Sequence, residues 1–227
     1  MAHEIKNPLT SLRSAVETAA RITDENNRKK LLDIIQHDVQ RLDRLISDIS
    51  SASRIDAELS REEMSTVDLS VLLYGLRDAY KAPLKRGNDN DEAEDSKIVL
   101  NLPEGEGIFV KGSRDRLSQV FGNLITNALS FSPDDGRVTV RAAIQGERIV
   151  ITVEDEGPGI PENKLNTIFE RFYTERPHEN YGNHSGLGLS ISKQIVEAHG
   201  GQIWAENLRN AAGDIIGARF NVVLNKA

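Results

Sequence analysis

The chain has 227 residues, 38% of them hydrophobic and 28% charged, which fits one large domain or two modest ones and excludes a wholly disordered polypeptide. A formal net charge of -7 excludes a nucleic-acid polyanion as the main ligand, so any phosphate site has to be local. With no cysteine, disulfides, thiolate metal sites and cysteine nucleophiles are excluded, and histidine becomes the nucleophile of interest.

No stretch approaches the roughly 18 consecutive apolar residues of a membrane helix, and no signal-peptide hydrophobic region opens the chain. This predicts no membrane contact by the segment itself. A helical pattern is already running by Ile5, with only Met1 and Ala2 ahead of His3, so the chain is expected to be an N-terminally truncated piece. Ile5, Leu9, Leu12, Val16 and Ala19 step by four and three along one helix face. After the turn-forming TDENNRK, Leu32, Val39 and Ile46 recur at heptad spacing, and Ile35, Leu42 and Ile49 repeat them. Two adjacent stripes are wider than a two-helix seam needs, which predicts a helical hairpin paired with a second copy as a homodimeric four-helix bundle. A monomeric hairpin lying on the rest of the chain is the alternative.

A polar stretch from Ser51 to Thr66 follows, and the domain boundary is placed there, giving 1–64 and 65–227. Val67 to Ala82 reads as a strand fragment and a helix, and GNDNDEAEDS as an acidic loop. Ile98 to Leu102 and Ile108 to Lys111 read as strands, Arg114 to Leu129 as a helix, and Val138 to Ile144 with Arg148 to Glu154 as a hairpin around Gln145 and Gly146. Leu187 to Ala198 reads as a helix stopped by Gly200 and Gly201, with Gln202 to Ala205 and Ala218 to Leu224 as closing strands. Helices and strands mix without strict alternation, which predicts an α/β sandwich with helices on one sheet face.

Three segments carry chemistry. Asn123 and Asn127 stand four apart in a helix, on one face, where two amide oxygens suit a hard Mg2+ that also keeps waters and phosphates; the same pair also suits a surface or capping role. DEGPGIP puts Asp155 at a strand end, where its carboxylate can accept from an adenine amino group, with Gly157 and Gly159 letting backbone turn close to a ligand. An ordinary turn-rich loop has the same composition. GNHSGLGLSI sets Gly186 and Gly188 at the mouth of a helix, whose free N–H groups and dipole favour phosphate.

In this order the segments resemble the boxes of the Bergerat/GHKL ATP-binding fold of sensor histidine kinases: NLITNAL the N box, DEGPGIP the first glycine box, FERFY the F box and SGLGLSI the second glycine box. The resemblance implies ATP and Mg2+ as cofactors. It implies that Asn127 chelates the metal with Asn123 assisting, that Asp155 reads adenine, that Phe131 and Ile160 line the adenine pocket, and that Gly186, Leu187, Gly188 and Leu189 meet the phosphates. The loop between Phe169 and Gly186 would be a mobile lid. Two positions depart from the pattern. A lysine often found three after the second Asn is Ser130 here, which makes Arg171 the candidate for replacing its charge, and the glycine usual before the second glycine box is Ser185. Independently of any family, Phe169 and Phe172 have the spacing of core anchors.

HEIKNPLTSL resembles the H box of the same family. The resemblance implies that His3 is the phosphoacceptor and Glu4 its orienting acid, in keeping with a neutral imidazole that attacks phosphorus through one nitrogen while a carboxylate holds the other N–H. Asn7 falls one turn on, where the family pattern of His, acidic, any, any, Thr or Asn implies that it positions a water for dephosphorylating the partner. Asn7 followed by Pro8 also reads as an N-cap and first-turn proline; in a continuous helix Pro8 would instead kink it beside His3. His37, His178, His184 and His199 read as solvated or helix-end residues, with no metal-ligand spacing among them.

The expected function is autophosphorylation on His3 and transfer to the aspartate of a response-regulator receiver domain, with regulator phosphatase activity. RFYTERP, NHSGLGLSISKQIVEAHGG and NALSFSP resemble the ChvG/ExoS type of alphaproteobacterial sensor, which implies a cytoplasmic piece of an inner-membrane protein. The rival readings are an ATPase clamp of the same fold, as in Hsp90-like or mismatch-repair proteins, and a catalytically decayed dimer scaffold. A clamp lacks a His-Glu pair on a preceding hairpin, and a decayed scaffold would not keep Asn127, Asp155 and the glycines.

Overall fold

A computed structural model describes residues 2–21, 24–36, 38–39, 42, 63–80, 97–103, 105, 107–171, 173 and 186–227, with the backbone alone for 2–8. The heptad positions Ile46 and Ile49, the acidic loop 87–96, His37, His178, His184, Ser185, Phe172 and most of the expected lid lie outside the described residues.

Helix α1 spans Ala2–Ala19, and helical backbone resumes at residues 25–36, 38–39 and 42 as α2. Pro8 lies inside α1 rather than at its first turn, so the reading of Asn7 as an N-cap is set aside. Ala15 is buried, while Leu9, Val16, Leu32, Ile34 and Val39 are all more than two-fifths exposed. Apolar surface of this extent at helical spacing is what the double stripe predicts for a hairpin taken alone.

Beyond it, β1 (Ser65–Asp68), α3 (Leu69–Ala79), β2 (Ile98–Asn101), β3 (Phe109–Gly112), α4 (Arg114–Phe131), β4 (Val138–Gln145), β5 (Arg148–Glu154), α5 (Gly188–Ala198), β6 (Gln202–Arg209) and β7 (Ile215–Asn225) follow in order, with two short 3-10 turns at Glu162–Lys164 and Thr167–Phe169. Asp68 starts α3 by accepting from the N–H groups of Ser70 and Val71, which satisfies donors that a helix start leaves orphaned. The main sheet has the order β2-β4-β5-β7-β6, parallel only between β2 and β4, and β1 pairs with β3 in a small second sheet.

Period-two alternation positions the core. Ile149, Ile151 and Val153 of β5 and Ala218, Phe220, Val222 and Leu224 of β7 are buried, and they meet Leu117, Phe121, Leu124 and Ile125 of α4 and Ile191 and Ile195 of α5 in one cluster. Each such large side chain withdrawn from water contributes about 1.5–3 kcal/mol. Helices on one face of a mixed sheet are the predicted sandwich. The last two strands run longer than expected, through Arg209 and from Ile215, with a register shift between Leu208 and Arg209. An edge strand tolerates polar residues because one side of it needs no ladder partner.

Candidate nucleotide site

α4 and α5 lie side by side on the sheet and carry one end of the site. The Asn123 amide nitrogen donates to the carbonyl of Gly188 at 3.1 Å and to the hydroxyl of Ser192 at 3.4 Å. A carbonyl only accepts, so this contact assigns the amide nitrogen to Gly188 and leaves Oδ1 as the atom not used in it. One helical turn on, the Asn127 side chain is half-buried; its backbone carbonyl accepts from Ser130 Oγ at 2.6 Å. Two neutral amide oxygens on one helix face fit a hard divalent cation that draws the rest of its shell from phosphates and water. Among the described residues no group of three or more His, Asp or Glu is arranged to hold a metal without such help.

At the start of α5, Gly186 has φ +69°, a conformation that glycine adopts without strain. Leu187 is fully buried and Leu189 packs against the core. Their side chains thus anchor the helix start, and what this turn presents to a ligand is backbone N–H and the positive end of the helix dipole. Arg171, following the second 3-10 turn, is exposed. Phe169 is buried edge-on to Phe220, with centroids 6.4 Å apart, as expected of a core anchor.

The other end of the site is built on the β5–β7 ladder. Asp155 follows β5 and is only 2% exposed. Its Oδ1 accepts from the N–H groups of Gly157 at 2.9 Å and Ala218 at 3.0 Å, and no described residue hydrogen-bonds to Oδ2. Burial raises the Asp155 carboxyl above the ordinary carboxylate range, against the lowering effect of these two backbone bonds. Gly157 is required by space, since a Cβ there would stand 2.8 Å from the carbonyl oxygen of Phe131. The Phe131 ring, at the end of α4, is 38% exposed. Ile160 is half-buried against the core, and its backbone is gripped on both sides by Asn207, a residue the sequence reading passed over.

His199 is the helix-end residue expected, the C-cap of α5, but it is not solvated. It is buried, its Nδ1 lies 2.8 Å from the carbonyl of Ile195, and its Nε2 accepts from the N–H of Ser113 at 3.1 Å. Only the neutral ring with the proton on Nδ1 makes both bonds. It ties the end of α5 to the start of α4, the two helices that carry the asparagine end of the site.

Two family profiles match the sequence: "Histidine kinase-, DNA gyrase B-, and HSP90-like ATPase" over residues 112–227, and "His Kinase A (phospho-acceptor) domain" over residues 1–58. The chain belongs to this ATPase family, and within it to the sensor histidine kinases. It is 50% identical to sensor protein ChvG of Agrobacterium fabrum over 231 aligned positions, covering 100% of this chain, and 50% identical to ChvG of Rhizobium meliloti over 97% of it. The chain spans 38% of the length of either ChvG relative. Among solved structures, histidine kinase ThkA in complex with response regulator protein TrrA aligns with a TM-score of 0.73 and 25% identity, over 100% of this chain and 60% of ThkA. The phosphoacceptor profile on the N-terminal residues separates this kinase core from the clamp ATPases of the same fold. Among the described residues no helix is long and apolar enough to cross a membrane.

Proposed function

We propose that the chain moves the γ-phosphoryl group of ATP onto His3 and then onto an aspartate of a response-regulator receiver domain. The carrying observation is Asp155: a buried carboxylate with one oxygen fixed by two backbone N–H groups and the other unengaged by any described residue. Such an oxygen is placed to accept from an adenine amino group, and the bond costs little reorganisation because the partner atom is already immobile. Phe131 and Ile160 flank the ring. Backbone N–H groups from Gly186 to Leu189 meet the phosphates, and exposed Arg171 supplies charge where Ser130 supplies none.

Asn127 and Asn123 are the residues that would hold Mg2+, which when bound neutralises charge on the β- and γ-phosphates. Glu4 orients His3 and balances the positive charge its ring acquires as a P–N bond forms and the bridging oxygen leaves with ADP. In the second step the P–N bond breaks and a P–O bond forms on the regulator aspartate. Asn7, one turn from His3 on α1, positions water for hydrolysis of that acyl phosphate, which gives the protein a phosphatase activity as well. The phosphoacceptor part is residues 1–64 and the ATP-binding part 65–227. The apolar positions left exposed on α1 and α2 pair with a second copy, and in the cell the unit faces the cytoplasm as part of an inner-membrane sensor. The 50% identity to ChvG, the phosphoacceptor profile and the ThkA–TrrA complex support this reading.

Incubation with γ-labelled ATP and Mg2+ tests it. Acid-labile label should appear on the protein and chase to a receiver domain, and His3→Gln should carry none. Label kept by His3→Gln would remove the assignment.

A further inference from the structure

Ile160 is held by a residue that belongs to none of the nucleotide boxes. Asn207 Oδ1 accepts from the Ile160 N–H at 2.7 Å while Asn207 Nδ2 donates to the Ile160 carbonyl, also at 2.7 Å. The amide thus acts as one rung of a β-ladder made with a side chain. Two further contacts brace it: Nδ2 reaches Glu162 Oε1 at 3.3 Å, and Arg209, two residues along β6, pairs with Glu162 and donates to the Gly213 carbonyl.

The placement of Asn207 in the ladder matters more than the number of its bonds. Asn207 pairs in register with Ala218, and Ala218 donates one of the two N–H groups that fix Asp155 Oδ1. Both walls of the adenine site, the Asp155 carboxylate and the Ile160 backbone, are therefore fastened to the same rung of the β6–β7 ladder. Earlier in the segment, Gly157 N–H is tied to Asp155 Oδ1 and Glu156 N–H to Ser132 Oγ; nearer Ile160, Gly159 turns at φ +78°, and a Cβ on it would collide with Ile215 and stand 2.8 Å from Asn207 Oδ1.

We propose that Asn207 is a positioning residue for the nucleotide base, setting the width of the adenine slot by holding Ile160 at a fixed offset from Asp155. The inference rests on the reading of Asp155 and Ile160 as the adenine site. It assigns Asn207 to base recognition and leaves the phosphate end untouched, so its loss weakens every adenine-bearing ligand by the same factor.

The test is calorimetric titration of the full chain with ATP, ADP and adenosine in the presence of Mg2+, comparing Asn207→Ala and Asn207→Asp. The aspartate keeps the size and the acceptor but removes the donor and faces the Ile160 carbonyl with negative charge, so it separates the amide pair from a general loss of packing. Both variants should weaken all three ligands by about tenfold, the scale of one lost hydrogen-bonding pair, with the ATP-to-adenosine affinity ratio unchanged. Unaltered affinities in Asn207→Asp, or a loss confined to ATP and ADP, would overturn the proposal while the adenine site stands. Failure of the unmutated chain to bind any of the three would instead remove the nucleotide reading, and this inference with it.

Discussion

The two ends of the proposed nucleotide site are built on opposite principles. At the adenine end the groups are locked before any ligand arrives: Asp155 by two backbone N–H groups, Gly157 against the carbonyl of Phe131, and Ile160 by both ends of Asn207. At the phosphate end the described residues offer two neutral amides, the start of one helix and an exposed arginine. A rigid end selects the base at small entropic cost; a sparse end would leave the triphosphate to be neutralised by a metal and let the γ-phosphoryl group pass to His3 in the proposed reaction. A protein that carried out the proposed transfer to a histidine on another element would have reason to separate these tasks.

That contrast breaks most visibly at Asn127. Asn127→Ala should lower labelling of His3 by at least about a hundredfold, the scale of losing a metal-positioning group, while adenosine binding is retained. Equal loss of adenosine binding would mean the two ends are not separable. Asp155→Asn should lower adenine-nucleotide affinity by about ten- to a hundredfold, because the outward atom becomes a donor facing a donor.

The same variant should be more heat-stable than the unmutated chain at pH 7. The native carboxyl is raised by burial, so the folded state holds its proton to higher pH than the unfolded chain does. Stability therefore falls as pH rises from the ordinary carboxylate range through the raised native value, and the cost is fully present above it. Asn carries no such cost, and melting curves should converge as the pH drops below the ordinary range. A variant that melts lower at pH 7, with the deficit closing at low pH, would show that the charged form of Asp155 stabilises the fold.

Smaller effects sharpen the picture. His199→Ala removes the bond to Ser113 N–H between α4 and α5 and should cost about 1–3 kcal/mol in chemical denaturation, with the greater functional loss at the phosphate end, whose residues these helices carry. Asn7→Ala should leave His3 labelling intact and slow regulator dephosphorylation, measured by loss of label from the receiver domain. Smallest of all is Arg219→Ala on the helix-free sheet face. Its contacts with Glu154 and Glu206 at 2.9 and 3.1 Å are partly solvent-exposed, so the expected change is under about 1 kcal/mol, with nucleotide affinity unmoved.

How much of this was legible in the sequence follows from how local each signal is. The asparagine pair, Asp155 and the glycines lie within short segments whose spacing alone puts them on one helix face, at a strand end or at a helix mouth. Helix and strand order could be read from periodicity, and the helix-free face from the polar alternation of β5. Asn207 escaped because its role depends on a strand pairing 47 residues from Ile160. Its only local trace is an Asn, poorly suited to strands, between Glu206 and Leu208 and past the expected strand end at Ala205. His199 is legible as a helix end, but its burial and its bond to Ser113, 86 residues away, lie beyond any helix-end rule.

The most direct test of the account is a crystal structure of the chain with Mg2+ and a non-hydrolysable ATP analogue. The adenine amino group should lie within hydrogen-bonding distance of Asp155 Oδ2 and the metal against the Asn127 amide oxygen. A base bound elsewhere, with Asp155 Oδ2 facing only protein, would contradict it.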